Sequence, residues 1–163
     1  MLAPGSVWAT KRWPYFEALA VDLASAGRLV VVGGDDDVSL GEIIRVRAPD
    51  VVIAAGQLSL LGSAELIRRA RVIVTNDSSP THLASAMGTP TVTIFGPTTP
   101  GFGFGPLAPA SRVAQHETMP CRPCHHHGPR QCPLGHWRCM VDLRVEQVAA
   151  IVRGVSTPTT TNG

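Results

Sequence analysis

Lysine and aromatic residues are scarce in this chain. A single lysine, Lys11, stands beside thirteen arginines, and Phe, Trp and Tyr together make up 5% of the 163 residues. The formal net charge is only +2, and no basic segment is interleaved with aromatic side chains. This composition argues against a nucleic-acid partner, because such partners are bound by concentrated positive charge.

Long apolar runs are also absent. No stretch approaches the roughly twenty apolar residues that cross a bilayer. Met1 leads directly into Pro4 and Gly5 rather than into the basic and apolar regions of a signal peptide. We therefore expect a cytoplasmic protein whose cysteines stay reduced.

The motifs of several common enzyme classes are missing as well. The sequence contains no nucleophile elbow of a serine hydrolase, no HExxH motif of a zinc protease and no Walker motif of a P-loop NTPase.

Short apolar runs alternate with helical patterns along most of the chain. The runs are continuously apolar, as expected for strands covered on both faces. Strands are predicted at residues 29–32, 51–54, 72–74 and 91–95, with an edge strand at 112–114; helices are predicted at 15–26, 40–48, 60–70, 80–87 and 145–152. Repeated βα units of this kind predict a doubly wound, mostly parallel, Rossmann-like α/β sheet, in which ligands bind at the carboxyl ends of the strands.

The two ends of the sequence differ from the regular βα pattern between them. The first strand has only residues 1–3 before Pro4, so we expect the chain to be part of a longer protein or a shortened form of one. We assign residues 1–154 to one domain. The Thr-rich and Pro-rich segment 155–163 has no apolar pattern and is predicted to be a disordered tail.

The junction after the predicted strand 72–74 carries the most chemistry. Asp77, Ser78 and Ser79 precede Pro80, and the spacing predicts serines as the N-cap and Pro at the start of a helix that also carries His82. The free amides and positive dipole end of such a helix suit a phosphate. The alternative is a capped turn that meets only water.

Three further segments lie near predicted strand ends. Lys11 and Arg12 precede a helix and are either phosphate-binding cations or a solvated pair. One of the aspartates Asp35, Asp36 and Asp37 is a candidate for binding a ribose hydroxyl, or all three form a charged rim. The glycine-rich run 101–105 is interpreted as a mobile loop, because no helix follows it.

Four cysteines fall in one loop at about residues 116–140. Cys121 and Cys124 form a CxxC pair, and Cys132 and Cys139 follow among several histidines. This arrangement in a reduced compartment suits a structural zinc ion. Free thiols that pack as small apolar groups are the alternative, since the last two cysteines do not form a second CxxC.

These segments together resemble a known family. PGSVWATKRWP, VVVGG, TNDSSPTHLASAMGTP, IFGPTTP and CRPC…CPLGHWRCM are similar, in this order, to the C-terminal half of the ADP-heptose:lipopolysaccharide heptosyltransferases, glycosyltransferase family nine. The last of these segments, CPLGHWRCM, most resembles the heptosyltransferase II type. The resemblance implies the donor-binding domain of a GT-B enzyme, which inverts the anomeric centre without a metal ion.

The resemblance also implies roles for individual residues. Lys11 matches the donor-site lysine that stabilises phosphate charge, which is the catalytic role we assign to it. The other donor-site positions that the family implies are Leu58 at the adenine, Asp77, Ser78, Ser79 and His82 at the phosphates and sugar, and Thr98 and Thr99 in the following turn.

The family further implies a second domain, which is missing here. That domain binds the lipopolysaccharide core acceptor and supplies the general base, and the full enzyme works at the inner face of the inner membrane. We therefore expect this chain to bind ADP-heptose or a similar nucleotide-sugar but to turn over negligibly alone. The alternatives are a stand-alone nucleotide-binding module and a zinc-stabilised interaction module.

Overall fold

Six parallel strands form one sheet at the centre of the molecule. The computed structural model describes residues 1–156. In chain order the strands are β1 (Leu2–Ala3), β2 (Val30–Val31), β3 (Val52–Ile53), β4 (Ile73–Asn76), β5 (Thr91–Phe95) and β6 (Arg112–Gln115). Their spatial order is β3-β2-β1-β4-β5-β6, and every neighbouring pair is parallel. The predicted doubly wound α/β fold is confirmed.

Helices cover both faces of this sheet. They are α1 (Phe16–Leu23), α2 (Val38–Arg47), α3 (Leu60–Arg68), α4 (Ser79–Met87), α5 (Arg138–Val141) and α6 (Val145–Ser156). None of the helices within residues 1–156 is long and apolar enough to cross a membrane.

The apolar core lies on the two faces of the sheet. Because successive residues of a strand point to opposite faces, Leu2 belongs to the larger core, which α1, α2 and α6 help to form. Ala3 belongs to the smaller core, to which Ile67 of α3 and Ala84 of α4 contribute. Both faces of β1 are therefore buried, as expected for an inner strand of a sheet that is covered by helices on both sides.

The largest departures from the sequence prediction lie near the C-terminus. Helix α5 was not predicted, and α6 continues to Ser156 rather than ending at 152. The predicted tail from 155 is therefore wrong for Val155 and Ser156. Val155 packs against the larger core, and this burial stabilises the extra turn. The rest of that prediction, 157–163, lies outside the described residues.

Candidate active site

A cleft of about 870 Å³ opens at the carboxyl ends of β1, β2 and β4. Its lining comes from loops that are far apart in sequence. The lining residues used below are Lys11, Arg12, Asp35, Asp36, Asp37, Leu58, Asp77, Ser78, Ser79, His125 and His127. The size fits a nucleotide-sized ligand, and the position is the one expected of a parallel α/β sheet.

The β4–α4 junction forms the floor of this cleft. Ser78 is extended, with φ −157° and ψ 176°, and α4 begins at Ser79. The amide of Asp77 donates to Ile94, and that of Thr81 donates to Ser78. The amides of Ser78 and Ser79 make no hydrogen bond within residues 1–156, so they stay available at the positive end of the helix. The predicted cap is shifted by one residue, since Pro80 occupies the second helical position.

Lys11 and Asp77 form a buried ion pair beside these amides. Lys11 Nζ lies 2.8 Å from Asp77 Oδ2, and the side chains are 11% and 5% exposed. Thr98 Oγ1 donates to the same carboxylate oxygen over 2.7 Å. An ammonium group has three donors, so Lys11 keeps donors for a ligand while Asp77 fixes its position.

Asn76 holds the Lys11 loop against β4. Its Oδ1 accepts from the amide of Trp13 over 3.0 Å, and its Nδ2 donates to the carbonyl of Pro4 over 2.8 Å. Asn76 is fully buried. These contacts satisfy the side chain and place Lys11 beside Asp77, although the two are 66 positions apart in sequence. Asn76 belongs to the polar cluster after β4, but its role in positioning the Lys11 loop depends on contacts that the sequence does not show.

The other predicted site residues lie in different places. Leu58 lines the cleft. His82 is exposed on α4 outside the cleft, with its ring 6.4 Å from that of Phe104. Thr98 is fully buried and therefore offers no surface to a ligand; it supports Asp77 instead. The Thr99 hydroxyl accepts from the amide of Gly101 and caps a short turn, and Thr99 is not part of the cleft lining.

Asp37 differs from the two aspartates that precede it. Asp37 accepts a hydrogen bond from the amide of Gly34 over 3.0 Å. Its carboxylate also fills the space beside Gly5 and Gly33, where a Cβ would clash with it. Asp35 and Asp36 are exposed along the rim of the cleft, so these two remain the candidates for a ribose hydroxyl.

Arg122 ties the cysteine-rich loop to the end of β5. Its guanidinium donates to the carbonyls of Gly96, Thr98 and His116. Burial lowers the pKa of this guanidinium from its ordinary value, and the negative charge of nearby groups opposes that effect. Arg122 fixes the turn that presents Thr98 to Asp77. No local motif marks this role, because it depends on long-range contacts.

The four cysteines line one cavity of about 240 Å³ next to Thr10 and Trp137. All four are free thiols, and within residues 1–156 no three candidate ligand side chains are gathered closely enough to hold a metal ion. Burial raises the pKa of Cys139 to about 11. Burial also acts to raise the pKa of Cys132, but backbone hydrogen bonds from residues 134–137 lower it overall.

Comparisons with known proteins agree on one family. The sequence model of glycosyltransferase family 9 (heptosyltransferase) matches residues 1–137. Lipopolysaccharide heptosyltransferase 1 of Pseudomonas aeruginosa is 32% identical over 154 residues, which are 91% of this chain and 42% of that protein. Lipopolysaccharide heptosyltransferase 2 of Escherichia coli is 34% identical over 119 residues, which are 68% of this chain and 34% of that protein.

Solved structures share the fold. ADP-heptose lps heptosyltransferase II of Escherichia coli superposes with a TM-score of 0.78 at 26% identity, covering 95% of this chain and 45% of that one. Escherichia coli heptosyltransferase WaaC with ADP gives a TM-score of 0.73 at 20% identity, covering 94% of this chain and 43% of that one, a likeness of fold alone. The chain spans about half the length, or less, of the relatives described here.

Proposed function

This chain belongs to glycosyltransferase family 9, the heptosyltransferases, and we propose that it is the donor-binding half of such an enzyme. The ligand in this proposal is ADP-heptose or a similar nucleotide-sugar. The observation that carries the proposal is the convergence, in one cleft, of Lys11 with the free amides of Ser78 and Ser79.

These groups suit the chemistry of glycosyl transfer from a nucleotide-sugar. As the sugar departs, negative charge grows on the phosphate that carried it. An ammonium group and two amides at a helix N-terminus stabilise such charge best when they are already in place. Asp77 and Asn76 hold Lys11 in place before any ligand arrives, so Lys11 acts as the catalytic cation in this proposal.

The cleft has distinct ends for the two parts of the ligand. Leu58 offers an apolar surface for the base, and Asp35 and Asp36 lie along the rim, where they can accept from ribose hydroxyls. Lys11 and the β4–α4 amides receive the diphosphate. Thr98 stays behind Asp77 as a positioning residue, and we assign no ligand contact to Thr99 or His82.

The remaining parts of the reaction belong to the second half of the enzyme. A hydroxyl of the acceptor must lose its proton to a general base, and in this proposal the other domain supplies that base. The acceptor is the lipopolysaccharide core, which places the full enzyme at the cytoplasmic face of the inner membrane. This chain alone is then a binding domain without measurable turnover.

Calorimetry with ADP tests the proposal. We expect the wild-type chain to bind ADP, and Lys11→Met to weaken binding more than tenfold, because a hydrogen bond between charged groups is lost. Arg45→Met is the matched control, since Arg45 pairs with Glu42 on the surface of α2. Absence of ADP binding by a folded wild-type chain would contradict the proposal.

Activity separates this proposal from a stand-alone nucleotide-binding module. The chain is combined with an acceptor domain of the same family and given ADP-heptose and a lipopolysaccharide core. Transfer that requires both parts supports the donor-half assignment, and binding without any transfer favours the stand-alone module.

A structural zinc ion in the cysteine-lined cavity remains a prediction. It is supported by four thiols facing one space and by the amide of Trp137, which donates to Cys132 Sγ over 3.4 Å. Binding requires the sulfur atoms to draw together to zinc–sulfur distances of about 2.3 Å. Metal analysis of the purified chain tests this: one equivalent of zinc supports the site, and none favours four free thiols.

A further inference from the structure

The histidine turn, residues 125–128, lies directly on the side chain of Lys11. Gly128 is buried and has φ +94°, and a Cβ at this position would lie 2.8 Å from Lys11 Cδ. Only glycine therefore allows the backbone to approach so closely. Thr10 Oγ1 also donates to the carbonyl of Pro129 over 2.5 Å. The turn is thus fixed to the cationic side of the cleft.

Alternate histidines of this turn face different surroundings. His125 and His127 line the cleft together with Lys11. His126 is absent from that lining and stacks on Phe102, with ring centroids 4.5 Å apart. The amide of His127 donates to His125 Nδ1 over 3.0 Å. An accepting Nδ1 leaves the ring proton of His125 on Nε2, where it is a donor.

A second loop supports the turn from outside. The ring of Phe104 lies 6.1 Å from that of His127, and Phe102 contacts His126 as described above. The glycine-rich run interpreted as a mobile loop is therefore packed against the histidine turn. Near Lys11 the cleft is therefore lined both by Ser78 and Ser79 of the β4–α4 junction and by the imidazoles of His125 and His127.

We infer that His125 and His127 bind the diphosphate–sugar end of the nucleotide-sugar, which deepens the proposed function and rests on it. Imidazole N–H groups donate to phosphate oxygens and sugar hydroxyls. The turn packs on Lys11, whereas the acidic residues Asp35 and Asp36 and the apolar Leu58 belong to the proposed nucleoside end. The chemistry of the two ends therefore assigns the histidines to the phosphates rather than to the base.

Calorimetry with adenosine and ADP tests this inference on the full chain. His127→Ala and His125→Ala are compared with His126→Ala, which is the matched control in the same turn outside the cleft. We expect about a tenfold higher Kd for ADP in each of the first two variants and less than a twofold change in the control, because charge-assisted hydrogen bonds are lost only in the cleft. Adenosine binding should be unchanged in all three.

The outcomes distinguish the inference from the proposed function. If wild-type protein binds no ADP, the proposed function itself fails. If it binds ADP and the His125→Ala/His127→Ala double variant retains the wild-type Kd, only the inference fails. A loss of ADP and adenosine binding by equal factors would also overturn it, since that result indicates a collapsed turn. His127→Gln, which restores a side-chain N–H donor, should recover part of the ADP affinity.

Discussion

Replacing Lys11 with methionine should destabilise the fold as well as weaken ligand binding. The substitution keeps an unbranched apolar side chain, but within residues 1–156 it leaves the Asp77 carboxylate, which is 5% exposed, with only the Thr98 hydroxyl as a side-chain partner. Breaking a buried ion pair from one side costs about 3–5 kcal/mol. Because Thr98 remains a donor, we expect a loss of about 3 kcal/mol in the free energy of unfolding, the lower end of this range.

A double-mutant cycle tests whether this loss comes from the ion pair. Asp77→Asn retains an oxygen that accepts from Thr98 but leaves the Lys11 charge unpaired, so we expect a loss of about 2 kcal/mol. Lys11→Met with Asp77→Asn leaves no buried charge. The double variant should therefore be more stable than the sum of the single losses implies, by about 2–3 kcal/mol.

Urea denaturation followed by circular dichroism measures these differences. With a slope of about 2 kcal/mol/M, a loss of 3 kcal/mol shifts the midpoint by about 1.5 M. Arg45→Met removes one partner of an exposed pair and should leave the midpoint almost unchanged. Single losses that simply add in the double variant would refute the assignment of Lys11 and Asp77 as a coupled buried pair.

Three further predictions concern the loop that covers the site. Arg122→Met leaves buried carbonyls without donors and should lower the free energy of unfolding by about 2–3 kcal/mol in the same urea assay. Gly128→Ala should weaken ADP binding in calorimetry, because its Cβ would press on Lys11. Gly135→Ala also acts at a positive φ, but nothing lies within 4 Å of its Cβ, so it should leave ADP binding unchanged. In metal-free protein at pH 8, iodoacetamide should modify Cys132 before Cys139, because the lowered pKa of Cys132 gives more thiolate. Mass spectrometry follows the two reactions, and equal rates in folded protein would contradict this prediction.

The part of the site that could be predicted from sequence is the part built from neighbouring residues. A buried strand, two serines and a proline follow one another from residue 72 to residue 80, and their local preferences are enough to predict a helix N-terminus at a strand end. The shift of one residue in the cap follows from the same local geometry, since proline fits either of the first two helical positions without needing its amide hydrogen.

The rest of the site depends on contacts between distant segments. The residues around Lys11 left two alternatives open, a phosphate-binding cation or a solvated pair, and only the resemblance to a family assigned Lys11 to the donor site. The contacts of Arg122 and the position of His127 in the cleft were not predicted, because both depend on where the cysteine-rich loop lies on the sheet edge. No periodicity or propensity encodes that placement; tertiary packing decides it.

The ion pair with Asp77 gives Lys11 a fixed position and reduces the net charge that it presents to a ligand. A diphosphate entering this cleft meets an ammonium group that is already paired with a carboxylate, so the long-range attraction is weak, whereas the position of the ammonium group is fixed. Affinity must then come from donors that contact the phosphates directly: the remaining Lys11 hydrogens, the amides of Ser78 and Ser79, and in our inference the imidazoles of His125 and His127. Such an arrangement stabilises the negative charge that develops on the phosphate in the transition state, because the donors are already oriented when the sugar leaves.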